Sequence, residues 1–457
     1  MQRFRKGNAK YKEKLFSILA NRASLAFQIK LVLSHAFLTA LSMKNRIKSL
    51  LVLLFGSSLL FSCMDEVKST YTFRTMMPVY LEMKDVRAKE IYIAPAQEIE
   101  NPGKIYIYKD FLLINEPNEG IHIYDNKNPA NPINLSFIPI EGNVDLAINS
   151  DILYADNYVD LLAFDLSNIR NIRLVKRVED VFNHLYQHST GKIITFKDTV
   201  LTSDSPRWEY NDMWTVRPGM SFLSNMSKAS QSYGTGGSMA RFTLMDGHLF
   251  AVDESTLRVF DVLNPAEPKF IKPIELGWGI ETIFPFDQKL FIGSNRGMHI
   301  YDASTPAAPT RLAVYEHVLS CDPVVVNEDY AFVTLRSGNF CMNGVNELHV
   351  IDIKNPSQPK LIKAYPMLNP HGLGLAENYL YVAEGKHGLK SFNASDVLSI
   401  DKNQLEFLQS MKSTDLIPGP KSLIIIGTDG VCQYDYSNPA RLKKLSCIQV
   451  SNPIEVS

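Results

Sequence analysis

Gly297-Met-His-Ile-Tyr-Asp302-Ala-Ser-Thr-Pro306-Ala-Ala-Pro309 is an apolar run that stops at an aspartate and a spaced pair of prolines. The phrase recurs as Gly120-Ile-His-Ile-Tyr-Asp125-Asn-Lys-Asn-Pro129-Ala-Asn-Pro132 and as Leu257-Arg-Val-Phe-Asp261-Val-Leu-Asn-Pro265-Ala-Glu-Pro268. A fourth copy is Leu348-His-Val-Ile-Asp352-Ile-Lys-Asn-Pro356-Ser-Gln-Pro359. Weaker copies end at Asp165, Asn393 and Asp435. Alternating and β-branched residues before the aspartate predict a strand. Proline donates no ladder hydrogen bond, so the Pro-x-x-Pro pair predicts a turn after it. At such a strand end the aspartate is expected to accept backbone N–H groups of the turn. That makes it architectural rather than catalytic.

The seven anchors are spaced by 40, 96, 41, 50, 41 and 42 residues. A period near 41 suits one four-stranded propeller blade. The longer 50 marks a loop at 337–347, and the 96 marks one repeat plus an insertion across 177–237. One repeat parses as strand A at 280–285, a turn at Asp287-Gln288, strand B at 289–293, strand C at 298–301 and strand D at 311–315. The expected fold is all-β, a β-propeller of seven four-stranded blades over 101–457, with the insertion between the second and third blades. Residues 441–450 read as the last blade's own outer strand. Ring closure then falls to packing or to residues 71–96.

The phrase resembles the LVIVD-repeat family. Val350-Ile351-Asp352 and Val259-Phe260-Asp261 match the core for which that family is named. The resemblance spans about residues 101–450 and implies a propeller, often on secreted or surface proteins, with no established reaction.

Charge is unevenly placed. Residues 1–62 carry 11 Lys or Arg and one acid, leaving 36 basic and 47 acidic residues in the remainder. An acidic body excludes nucleic acid as the expected partner, because phosphate binding needs clustered cations. From Met43 a basic run (Lys44, Arg46, Lys48) leads into an apolar stretch too short to span a bilayer comfortably, the pattern of a secretory signal at 43–62. It ends in Leu60-Phe61-Ser62-Cys63, which resembles a lipobox with Cys63 as lipid acceptor. Residues 1–42 are read as a gene-model extension ahead of the true start. Residues 63–100 are read as a tether and N-terminal segment, and Met64-Asp65-Glu66 resembles the surface-export signals of Bacteroidetes lipoproteins. The expected place is the cell envelope, as an outer membrane lipoprotein held by its acyl chains and in one variant surface-exposed.

An exported chain can keep disulfides. Cys321 and Cys341 are placed at one end of the fifth blade and are expected to pair. Cys432 and Cys447, nearly symmetric about Asn438-Pro439, are a second candidate pair. No paired Cys-x-x-Cys supports zinc near His317, and no metal ligands are assigned. The insertion carries Phe182, His184, Tyr186, Trp208, Tyr210 and Trp214, read as a packed cap over one blade. Tyr233-Gly-Thr-Gly-Gly-Ser238 lacks the strand–loop–helix context of a phosphate loop.

One register at the start of strand A is polar in blade after blade: Asp145, Arg241, Glu281, Asp322, His371 and Asp415. These side chains are expected to ring the channel mouth formed by the D–A loops. Such a ring is costly unless water, a cation or a ligand compensates it. The alternative is that they cap backbone N–H groups at strand starts. Calcium is a candidate on the acid-rich side, needing oxygens from several blades; no other cofactor is expected. Two functions stand: an envelope binding or scaffold module for a glycan, peptide or protein partner, and an extracytoplasmic hydrolase or lyase. No Gly-x-Ser-x-Gly or His-Glu-x-x-His motif is present, which favours the first.

Overall fold

The computed structural model describes residues 71–182, 186–187, 192–203, 239–316, 323–337, 345–409, 411–428 and 430–451. The larger of its two compact units, residues 72–201 and 207–457, holds all seven blades. Blade 4 shows the common plan: strand A at Ile280–Phe286, B at Lys289–Ser294, C at Gly297–Asp302 and D at Thr310–Glu316, each paired antiparallel to the next. The strand A's of the other blades are Ile105–Tyr108, Leu146–Asn149, Phe242–Met245, Val324–Val326, Leu373–Ala376 and Asp415–Pro418. Inner strands of successive blades touch in chain order. The fold is a seven-bladed β-propeller, as the repeat predicts.

Between neighbouring blades lie apolar layers, and the repeat's alternation supplies both sides. Phe291, Met298 and Ile300 of blade 4 pack on Val324, Val326 and Val333 of blade 5. Phe332 and Leu348 of blade 5 then meet Leu373, Leu380 and Phe392 of blade 6. Burying such side chains stabilises by roughly 1.5–3 kcal/mol each.

The repeated acid does what its position predicts. Asp125, Asp165, Asp261, Asp302, Asp352, Asn393 and Asp435 each accept the N–H two residues on, at 2.8 to 3.0 Å. The turns also dock on the preceding blade: Tyr154 Oη donates to Pro265 O (2.7 Å) and Ser391 Oγ to Pro439 O (2.6 Å). Every C–D pair slips by one residue at the same place, leaving Leu135, Val175, Ile271, Leu312, Ile362, Leu405 and Leu445 as the extra, always aliphatic, residue. A bulge adds local twist and bends the outer strand.

Closure uses more than packing. The last blade has its own four strands, ending with Lys443–Ile448, so no strand is exchanged. Ala94–Pro95 instead pairs with the outer strand of blade 1 (Ile133–Pro139) as a fifth strand. Ile99 then forms a parallel bridge with Val450. Ile105, Leu112 and Ile114 of blade 1 pack on Ile417, Ile424 and Ile426 of blade 7. Asn126 and Gln433 exchange two buried side-chain hydrogen bonds, at 3.0 and 2.7 Å, across the same seam.

Ahead of this seam, a strand at Tyr71–Glu82 pairs with the insertion strand Lys192–Ser203, and a short helix, Met83–Ala88, follows. Arg87 of that helix grips Asp160 of blade 2 with two hydrogen bonds (2.9 and 2.7 Å), and Arg177 reaches the same carboxylate at 2.8 Å. The N-terminal segment is thereby fixed to blade 2. Cys63, Cys321 and Cys341 lie outside the described residues. Cys432 and Cys447 stand opposite each other on strands C and D of blade 7 and are disulfide-bonded.

Candidate functional site at the strand A starts

The D–A and B–C loops gather at one end of the propeller, where each inner strand begins. Strand pairing fixes the equivalent positions: Ile105 faces Ile114, Leu146 faces Ala155, Phe242 faces Ala251, Ile283 faces Ile292, Val324 faces Val333, Leu373 faces Val382 and Leu416 faces Ile425. The residues immediately before them are Lys104, Asp145, Arg241, Thr282, Pro323, Gly372 and Asp415.

Three of the six residues expected in this ring, Asp145, Arg241 and Asp415, stand in strict register. Glu281 sits one residue early, bulged out before Thr282, and His371 also sits one residue early, with Gly372 in the position itself. A side chain cannot fit there, because a Cβ on Gly372 would lie 1.8 Å from Asp415 Oδ1. Asp322 lies outside the described residues, and Pro323 holds the register position of its blade. Blade 1 supplies Lys104, which the sequence comparison passed over although Lys104-Ile105 repeats the polar–apolar step of Asp145-Leu146.

Lys104 and Asp145 form the buried floor, each only 1% exposed. Lys104 Nζ donates to Met239 O (2.9 Å) and lies 3.7 Å from Asp145 Oδ2. Loss of water around the ammonium pulls its pKa down to about 8, against the pull of Asp145. Burial pushes the Asp145 carboxyl above its ordinary value, partly offset by Lys104. Asp145 also accepts three backbone N–H groups, from Leu146 (2.7 Å), Arg241 (2.6 Å) and Phe242 (2.9 Å). It therefore ties the start of blade 3 to blade 2, which is the capping role weighed from sequence. Asp415, equally buried, adds to the field at Lys104, as does Asp156.

Above this floor Asp156 and Arg336 are half-buried and His371 is buried. Asp156, at the end of strand B in blade 2, accepts from Val144 N (2.8 Å) and Asp145 N (2.9 Å), and burial raises its carboxyl to about 6. Arg336 follows strand B of blade 5 (Tyr330–Leu335) and feels both loss of water and the charge of Glu281. His371 is held well below its ordinary pKa, first by burial and then by Arg336, so its imidazole is neutral at pH 7. Its Nε2 is buried without a hydrogen-bond partner, while its backbone O accepts from Thr334 Oγ1 (2.6 Å). Sequence reasoning missed Asp156 and Arg336 because they come from strand B, whose register was not compared.

Among the described residues the ring brings together three cations (Lys104, Arg241, Arg336) and four carboxylates (Asp145, Asp156, Glu281, Asp415). Among the described residues no three His, Cys, Asp or Glu side chains gather as a metal site. Asp145 already spends its lone pairs on backbone donors, and Lys104 stands beside it. Among the described residues no helix is long and apolar enough to cross a membrane.

Residues 320–366 match the model of the LVIVD repeat, a span that ends with the outer strand of blade 5. No curated protein matches the chain. Solved structures similar to it include a computationally designed protein, Ika8 (10% identity, TM-score 0.49, covering 79% of this chain and 91% of that one). A functionally unknown protein from Desulfotomaculum acetoxidans shows 12% identity and a TM-score of 0.49, covering 76% and 99%. The periplasmic gluconolactonase of Pseudomonas aeruginosa shows 12% identity and a TM-score of 0.48, covering 76% and 98%. These likenesses bear on nothing beyond the fold, which the strand pairing already establishes. The chain is a propeller scaffold.

Proposed function

We propose that this LVIVD-repeat propeller is an envelope-anchored binding protein whose ligand meets the ring of charges at the strand A starts. The observation that carries the reading is the concentration of ionisable groups at one axial end. Apolar residues could begin seven inner strands without the desolvation cost of buried charge. Groups with displaced pKa values that converge on one place are the physical signature of a site. Asp145 is architectural by its three backbone bonds, so recognition is assigned to Arg241, Glu281, Arg336 and His371, with Asp415 beneath them.

The exported location rests on the leader, the Cys63 lipobox and the Cys432–Cys447 bond, which belongs to an oxidising compartment. Two experiments test the two halves. Protein captured from membranes of its native host should carry a glycan, peptide or protein partner detectable by mass spectrometry. Glu281→Ala and His371→Ala should each lose that partner at an unchanged melting temperature. Lost stability with retained partner would return the ring to architecture. Cys63→Ala should abolish palmitate labelling and membrane retention; a variant that still labels removes the anchor. The enzymatic alternative, a hydrolase or lyase, draws on the neutral His371 imidazole as a general base. It requires a His371→Ala variant that binds but does not turn over.

A further inference from the structure

Trp278 is 64% exposed, in the loop that joins strand D of blade 3 (Lys269–Glu275) to strand A of blade 4. The backbone around it is fixed. Leu276 N donates to Ser255 O (2.8 Å), and Gly279 N and Ile280 N both donate to Glu254 O (2.8 and 3.1 Å). Asn295 N in turn donates to Gly279 O at 2.8 Å. Leu276 is buried in the layer between blades 3 and 4. Gly277 and Gly279 flank the tryptophan at φ of +96° and +97°, a region that side chains other than glycine's disfavour. A Cβ on Gly279 would also lie 2.2 Å from Asn295 Oδ1. The loop thus presents an indole to solvent on a backbone with little freedom to withdraw it. Trp278 is three residues before Glu281, a chain reach of at most about 11 Å.

We infer that Trp278 is a stacking platform for a sugar ring, and that the ring of charges takes a neutral, polyhydroxylated ligand, a glycan. This rests on the reading of that ring as the binding site. The indole face is apolar and electron-rich, which complements the C–H face of a pyranose. The hydroxyl rim of the same sugar both donates and accepts. Carboxylates and guanidinium groups near enough to feel each other's charge, as Glu281 and Arg336 are, satisfy both directions. Near-balance of three cations and four carboxylates argues against a highly charged ligand, since either sign would meet like charge. An aromatic on a rigid loop also loses little conformational entropy on contact.

The test is a glycan array probed with the full chain, followed by calorimetry with the best soluble oligosaccharide. Trp278→Ala should weaken that oligosaccharide about ten-fold or more, as for an aromatic anchor covered by its ligand on binding. Trp278→Phe should retain most of the affinity, and neither change should move the melting temperature. An array without a saturable glycan, or a Trp278→Ala variant that binds as well as the parent, overturns the inference. The failures separate. A ligand captured from membranes that is lost in Glu281→Ala but kept in Trp278→Ala leaves the ring as the site and removes the platform. A glycan lost in Trp278→Ala but kept in Glu281→Ala leaves the platform and removes the ring.

Discussion

Lys104 Nζ lies 3.7 Å from Asp145 Oδ2, and neither side chain is more than 1% exposed. Lys104 begins the inner strand of blade 1 and Asp145 that of blade 2, so the pair ties the first two blades together where the candidate site has its floor.

This pair has a pH signature. The Lys104 pKa in the folded chain, about 8, lies below its ordinary value of 10.5, because burial penalises the ammonium. A depressed folded-state value contributes stability above the unfolded pKa that is lost as pH falls through the folded one. Between about pH 10.5 and 8 the loss should approach roughly 3 kcal/mol, by 1.36 kcal/mol per unit. Lys104→Met should flatten this part of the stability profile in urea titrations. An unaltered slope in the variant would remove Lys104 as its source.

Gly372 and Asp415 are matched by exclusion. With Asp415 Oδ1 at 1.8 Å from where a Cβ would stand, Gly372→Ala should cost several kcal/mol, about 3, as overpacking of a closed site does. Shortening the neighbour in the double variant Gly372→Ala/Asp415→Ser should recover a good part of it. Additive losses in that cycle would show that the two side chains do not compete for one space.

The seam between blades 7 and 1 depends on a reciprocal amide pair. Gln433→Leu should leave the Asn126 amide buried without its two partners, a cost of about 1–3 kcal/mol. Hydrogen exchange should show that loss first in blades 1 and 7. Uniform loss across all blades would mean the seam is not a local weak point.

The Cys432–Cys447 bond closes a separation of 15 residues, worth roughly 3 kcal/mol in the chain-entropy model. Reduction should lower the urea midpoint by a corresponding amount and spare the binding of the captured ligand. A midpoint indifferent to reductant would deny the bond any part in stability.

Blade number and strand order were legible because each repeat is a local pattern: alternation to a strand end, an acid that closes its own turn, then two prolines that prevent further pairing. All seven acids or amides act within two residues of themselves, so neighbouring sequence sufficed to read them. The strand parse of blade 4 differs from the observed strands only at their ends. The bulges escaped notice because an extra aliphatic residue leaves no mark on composition; it appears only when strand C is laid against strand D.

The sequence by itself determined the propeller and its seven blades. Those depend on periodicity along the chain, which residue order carries directly. Tertiary structure alone decided how the ring closes, because Ile99 meets Val450 and Asn126 meets Gln433 across more than 300 residues. It also decided the membership of the site. Lys104, Asp156 and Arg336 enter it from different strands, and His371 yields its place to Gly372, because the space at an inner strand's start is set by the neighbouring blade.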